Sequence, residues 1–135
     1  MAGDFTGLLL GAFACLCAHL VHEWGHLLGG LATGSDMEPG KKGWRSLSLF
    51  IFNSTSNSKS QFMVMSAAGF AATGLVVWFA FTQVPVEYLA SRMLRGFAVL
   101  QVVLAVVLEI PLVIWALVGK KLPPIDKSPD QVMAS

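Results

Sequence analysis

Four ionisable residues, His19, His22, Glu23 and His26, interrupt an otherwise apolar run. At about 100° per residue they fall within an arc of roughly 100°, so a helix presents them as one stripe. Cys15 lies on the same stripe, one turn earlier. His22-Glu23-Trp24-Gly25-His26 has HExxH spacing. Two imidazoles at i and i+4 converge on one zinc ion, and the intervening Glu can activate a bound water. His22 and His26 are therefore candidate metal ligands, and Glu23 is a candidate catalytic base. His19 suits either a proton relay or a bond to a carbonyl of a neighbouring helix, and it stays outside the metal set. Bis-histidine haem ligation within the chain is disfavoured, because all three histidines share one helix.

A catalytic zinc normally has three protein ligands and an open fourth position. The apolar run from Gln61 to Thr82 holds neither carboxylate nor histidine. The next run holds one acid, Glu109, in Val107-Leu108-Glu109-Ile110-Pro111. An unpaired carboxyl there is costly, and the only basic residue in that stretch, Arg95, lies at its far end. Glu109 is thus the expected third ligand. The alternative is a protonated Glu109 bonded to a neighbouring carbonyl such as that of Val107, which loses its amide partner at Pro111.

These residues are carried by elements that the composition identifies. The chain has 135 residues, a net charge of +1, 55% hydrophobic residues and 13% charged residues. Soluble domains carry about 25% charged residues, roughly twice as many. The balance excludes a disordered tail, a basic nucleic-acid binder and a disulfide-stapled module. The expected class is an all-α membrane protein of three spans, at about 5–30, 61–82 and 94–118, each long enough for the ~20 helical residues a bilayer requires. The first reads as a retained span, because it lacks a basic n-region and outruns a signal-peptide core. Residues 1–122 form one membrane domain, and 123–135 read as a polar tail. Cys15 and Cys17 diverge on their helix and are expected to stay unbridged.

Seven of the nine basic residues are Lys41, Lys42, Arg45, Lys59, Lys120, Lys121 and Lys127, in the first loop and the tail. The positive-inside rule puts that side in the cytoplasm, with the N-terminus outside. Spans one and three then run parallel, and His22, His26 and Glu109 share the cytoplasmic half of the membrane. The loop at 35–60 is expected to hold a β-hairpin or a strand, with the strand-prone run at Ser46 to Phe52, including Leu47, followed by turns from Asn53 to Ser60. That segment must pair or sit against the helices, since bare backbone cannot face lipid.

With these residues assembled, the chain resembles the site-2 protease family of intramembrane zinc metalloproteases. His-Glu-Trp-Gly-His fits the family's HExGH form, including Gly25. Gln101 and Glu109 keep the eight-residue separation of the family's third-span Asn-x-x-Pro-x-x-x-x-Asp-Gly segment. Ser66-Ala67-Ala68-Gly69-Phe70-Ala71-Ala72 is similar to its small-residue stretch around Gly-Pro-x-Ala-Asn. The resemblance implies Zn²⁺ on His22, His26 and Glu109, Glu23 as the base, and Gln101 on the substrate backbone. It also implies a strand-bearing loop and a site facing the cytoplasm. Leu104 stands in place of the family's Pro, Ile110 in place of Gly, Phe70 in place of the second-span Pro, Thr73 stands near the family's second-span Asn, and Glu109 is one methylene longer than Asp. The implied partner is a transmembrane protein substrate in the lipid bilayer, with no nucleic acid. The competing expectation is a non-catalytic accessory subunit packed among the subunits of a larger membrane complex, which the glycine spacings Gly3-x3-Gly7-x3-Gly11 and Gly25-x3-Gly29 would suit.

Overall fold

The computed structural model describes residues 2–39, 49–119 and 121–122, with side chains from Asp4 onward. Helix α1 spans Ala2–Ala32, β1 Met37–Pro39, β2 Phe50–Phe52 and α2 Lys59–Thr82. A final rod comprises α3, Leu89–Leu104, one π-helical turn, Ala105–Glu109, and α4, Ile110–Val118. Three helical stretches, Asp4–Ala32, Lys59–Thr82 and Leu89–Val118, are long and apolar enough to cross a membrane. The third begins five residues before the expected Leu94, because the polar turn of Ser91, Arg92 and Arg95 is also helical.

Local chemistry sets the helix ends. α1 stops where Gly34 takes φ +64°, a left-handed conformation cheap for glycine. The Ser35 amide then reaches back to the Gly30 carbonyl at 2.9 Å and the Gly34 amide to Leu31 at 3.0 Å, satisfying carbonyls that the helix end would orphan. α2 opens on a reciprocal cap: Ser58 Oγ accepts from the Gln61 amide, and Gln61 Oε1 accepts from the Ser58 amide. At its other end Arg95 donates to the carbonyls of Ala80 (2.9 Å) and Val84 (2.8 Å), tying α3 to the end of α2. Lys59 Nζ does the same between α2 and α4, donating to the Gly119 carbonyl.

The strand expectation is met in part. Phe50–Phe52 pairs antiparallel with Met37–Pro39, Phe52 opposite Met37. Leu47 and Ser48 lie outside the described residues, as do Lys41, Lys42, Arg45, Lys120 and the 123–135 tail. Phe52 is buried against Phe62, ring centroids 5.6 Å apart, which fastens the small sheet to α2. Its neighbours Met65 and Ala116 complete one core cluster, and Ala18, Val76, Ala80, Leu94 and Ala98 form the other. Large apolar side chains such as Leu16, Trp24, Trp78, Leu108 and Trp115 point outward on all three rods.

α1 and α2 meet at backbone distance. A Cβ on Gly25 would stand 2.6 Å from Ala72 Cβ and 2.8 Å from the Ala68 carbonyl, and one on Gly29 2.6 Å from Ala68 Cβ. Gly25→Ala is therefore expected to cost about 1–3 kcal/mol through forced separation of the helices. Thermal unfolding in detergent checks this, with Gly74→Ala as the matched control because nothing lies within 4 Å of its added methyl.

Candidate metal centre

The contact of α1 with α2 and α3 places the histidine stripe inside the bundle. His22 Nε2 and His26 Nε2 lie 3.2 Å apart. Glu109 Oε1 is 3.2 Å from His22 Nε2, and Glu109 Oε2 is 3.4 Å from His26 Nε2. The structure thus brings together His22, His26 and Glu109, one from each turn of α1 and one from the third rod. Among the described residues they are the one group of three His, Cys, Asp or Glu side chains spaced to hold a metal ion.

The other ring nitrogens indicate which atoms face the centre. His26 Nδ1 is 3.1 Å from the Met65 carbonyl, which can only accept, so Nδ1 carries hydrogen. In the neutral ring Nε2 then presents a lone pair to the centre. His22 Nδ1 is 2.8 Å from Thr73 Oγ1 and takes the same tautomer when that hydroxyl accepts. Two lone pairs and a carboxylate converging within 3.4 Å repel one another unless a cation or a proton lies among them. The spacing has room for either, a proton shared between imidazole and carboxylate or a metal ion held by all three groups. Tetrahedral zinc with bonds of about 2.0–2.2 Å sets its ligand atoms about 3.3–3.5 Å apart.

Glu109 reaches this place through the π-helical turn. On α3 the inward residues Ser91, Leu94, Ala98, Gln101 and Ala105 recur at alternating three- and four-residue steps. An unbroken helix would carry that face on to Leu108 and Trp115. Both are instead 54% exposed, while Ala116 is 1% exposed and the Glu109 side chain 25%. The wide turn, in which the Ile110 amide bonds the Ala105 carbonyl, advances the face by one residue. Pro111 supplies a reason: it has no N–H, and in a regular helix its ring presses on the Val107 carbonyl. Deleting Val107 is expected to close the turn and keep Glu109 facing the histidines, with metal binding retained. One alanine inserted after Leu104 should rotate Glu109 away by about 100° and abolish binding. Zinc titration of both purified variants checks this pair of outcomes.

Glu23 is 7% exposed, and its Oε2 accepts the Leu49 amide at 2.8 Å. The motif glutamate therefore also anchors the entrance to β2, a role its sequence position does not announce. Gln101 is buried ten residues before Pro111, with Nε2 donating to the Ala18 carbonyl at 3.4 Å and Oε1 buried without a hydrogen-bond partner. His19 is half-buried on α1. Cys15 and Cys17 are unbridged, and Cys15 Sγ lies 3.7 Å from the Met93 carbonyl. Thr73 and the Met65 carbonyl were not legible as site atoms. The hints available for Thr73 were its place near the Asn of the resembled second-span segment and its hydroxyl four residues after Gly69, in a helix without ionisable side chains beyond its first residue.

No family model matches the chain, and neither a curated protein nor a solved structure is significantly similar to it.

Proposed function

We propose that this chain is an intramembrane zinc peptidase of the site-2 protease type, inserted as three spans with its N-terminus outside and its C-terminus in the cytoplasm. The observation that carries the reading is the triangle of His22 Nε2, His26 Nε2 and Glu109 carboxylate oxygens, with edges of 3.2 to 3.4 Å. Two imidazoles and a carboxylate are a donor set of catalytic zinc, which when bound supplies Lewis acidity and a water of lowered pKa. The apolar outer faces, and the concentration of seven of the nine basic residues in the first loop and the C-terminal segment of the sequence, support the membrane arrangement.

The chain's own residues divide the remaining work. Glu23 Oε2 is committed to the Leu49 amide, which leaves Oε1 to take a proton from the attacking water and return it to the departing amine. Gln101, with an unpartnered Oε1, has an acceptor available for a substrate amide. The substrate is a transmembrane helix, unwound where its peptide bond enters the site. A second reading, a non-catalytic subunit of a membrane complex, is favoured by one fact: Glu23 already has a structural task at Leu49.

The test is cleavage of a reconstituted transmembrane helix with helix-breaking residues in its cytoplasmic half. A zinc-dependent cut, removed by chelator and restored by zinc, supports the peptidase. Intact helix under zinc-loaded conditions supports the accessory-subunit reading.

A further inference from the structure

α2 contributes no metal donor, yet three of its residues at four-residue spacing, Met65, Gly69 and Thr73, lie along the two histidines. Thr73 Oγ1 meets His22 Nδ1 at 2.8 Å and the Met65 carbonyl meets His26 Nδ1 at 3.1 Å. Between them Gly69 lies flat beneath the His26 imidazole: a Cβ there would overlap Cε1, Nε2 and Nδ1 of that ring at once. Because α1 and α2 run antiparallel, the pair His22 and His26 meets the row 73, 69, 65 in matching order, each turn of one helix facing a turn of the other.

We propose that this row on α2 is the positioning element of the metal centre, with Thr73 and Gly69 its determining residues, an inference that rests on the three-donor reading of His22, His26 and Glu109. Thr73 holds His22 with Nδ1 protonated and Nε2 inward. Gly69 leaves the space in which the His26 ring lies over the helix while its Nδ1–H reaches Met65. Ligand histidines owe their tautomer and orientation to the partner of the second ring nitrogen, and losing such a partner weakens metal binding by about 10–100-fold. Thr73→Val keeps the shape and removes the acceptor. Gly69→Ala keeps the acceptors and removes the space.

The experiment is Co²⁺ titration of the full chain in detergent, read by its visible absorption and by competition with Zn²⁺. Expected are one tetrahedral Co²⁺ in the wild type, affinity lower by about 10–100-fold in Thr73→Val, near-wild-type affinity in Thr73→Ser, and a lost or altered spectrum in Gly69→Ala. Gly74→Ala, on the same helix with nothing within 4 Å of its added methyl, should titrate as wild type and separate a local effect from general damage to α2. Wild-type binding with Thr73→Val and Gly69→Ala indistinguishable from it would overturn the positioning role and leave the donor set standing. A wild type that takes up no Co²⁺ or Zn²⁺ would overturn both.

Discussion

Glu23→Gln is expected to abolish peptide cleavage while leaving zinc content at the wild-type level. The two effects separate because Glu23 lies outside the donor triangle, and because glutamine keeps a side-chain oxygen to accept the Leu49 amide. What glutamine cannot do is take a proton from water and return it to a leaving amine. A positioned general acid–base group contributes about 10²–10⁴-fold, so residual cleavage should fall to 1% of wild type or less. Glu23→Ala should be worse in a different way, since it also releases β2 and lowers thermal stability. If Glu23→Gln cuts the reconstituted helix at the wild-type rate, Glu23 is an anchor for β2 and nothing more.

Glu109→Ala carries the other large effect. It removes one of three donors and leaves His22 Nε2 and His26 Nε2 facing each other at 3.2 Å without the carboxylate that bridges them. Affinity for zinc should fall well beyond the 10–100-fold that follows loss of a mere hydrogen-bond partner, so protein purified without chelator should carry little metal. Glu109→Asp tests reach. It is one methylene shorter on a helix that needs a wide turn to present the carboxylate, so zinc should bind more weakly than to wild type but better than to Glu109→Ala. Equal zinc content in Glu109→Ala and wild type would remove Glu109 from the ligand set.

The histidine pair was legible because its cost made it so: polar residues at helical spacing within an apolar run have few uses besides a centre. Glu109 was legible as the lone acid of its rod, and the three long apolar helices followed from length and hydropathy. How Glu109 is aimed was not legible. The three- and four-residue rhythm of α3 points to Leu108, and only the strain that Pro111 places on Val107 hints at a register change. The small sheet was half visible. Phe50–Phe52 lay within the expected strand run, whereas its partner Met37–Pro39 fell inside the expected 35–60 hairpin but could not be placed by residue, because three residues ending in proline carry almost no strand signal. Least visible was the α2 row, made of a backbone carbonyl, a missing side chain and a helical threonine. Each of these reads in sequence as ordinary close packing, and only the opposite helix shows what they face.

Glu23 shows the same limit in another form. HExxH suggests a base, but the bond to Leu49 depends on where β2 enters, 26 residues further along the chain. One carboxylate serves the sheet with Oε2, and the proposed base role falls to Oε1.

Zinc K-edge absorption on the purified wild-type chain, combined with metal quantification, addresses the donor triangle itself. One zinc per chain with only nitrogen and oxygen neighbours at about 2.0–2.2 Å, including the scattering pattern of two imidazoles, is the expected result. A metal-free chain, or zinc with sulfur at about 2.3 Å drawn from Cys15 or Cys17, would contradict it.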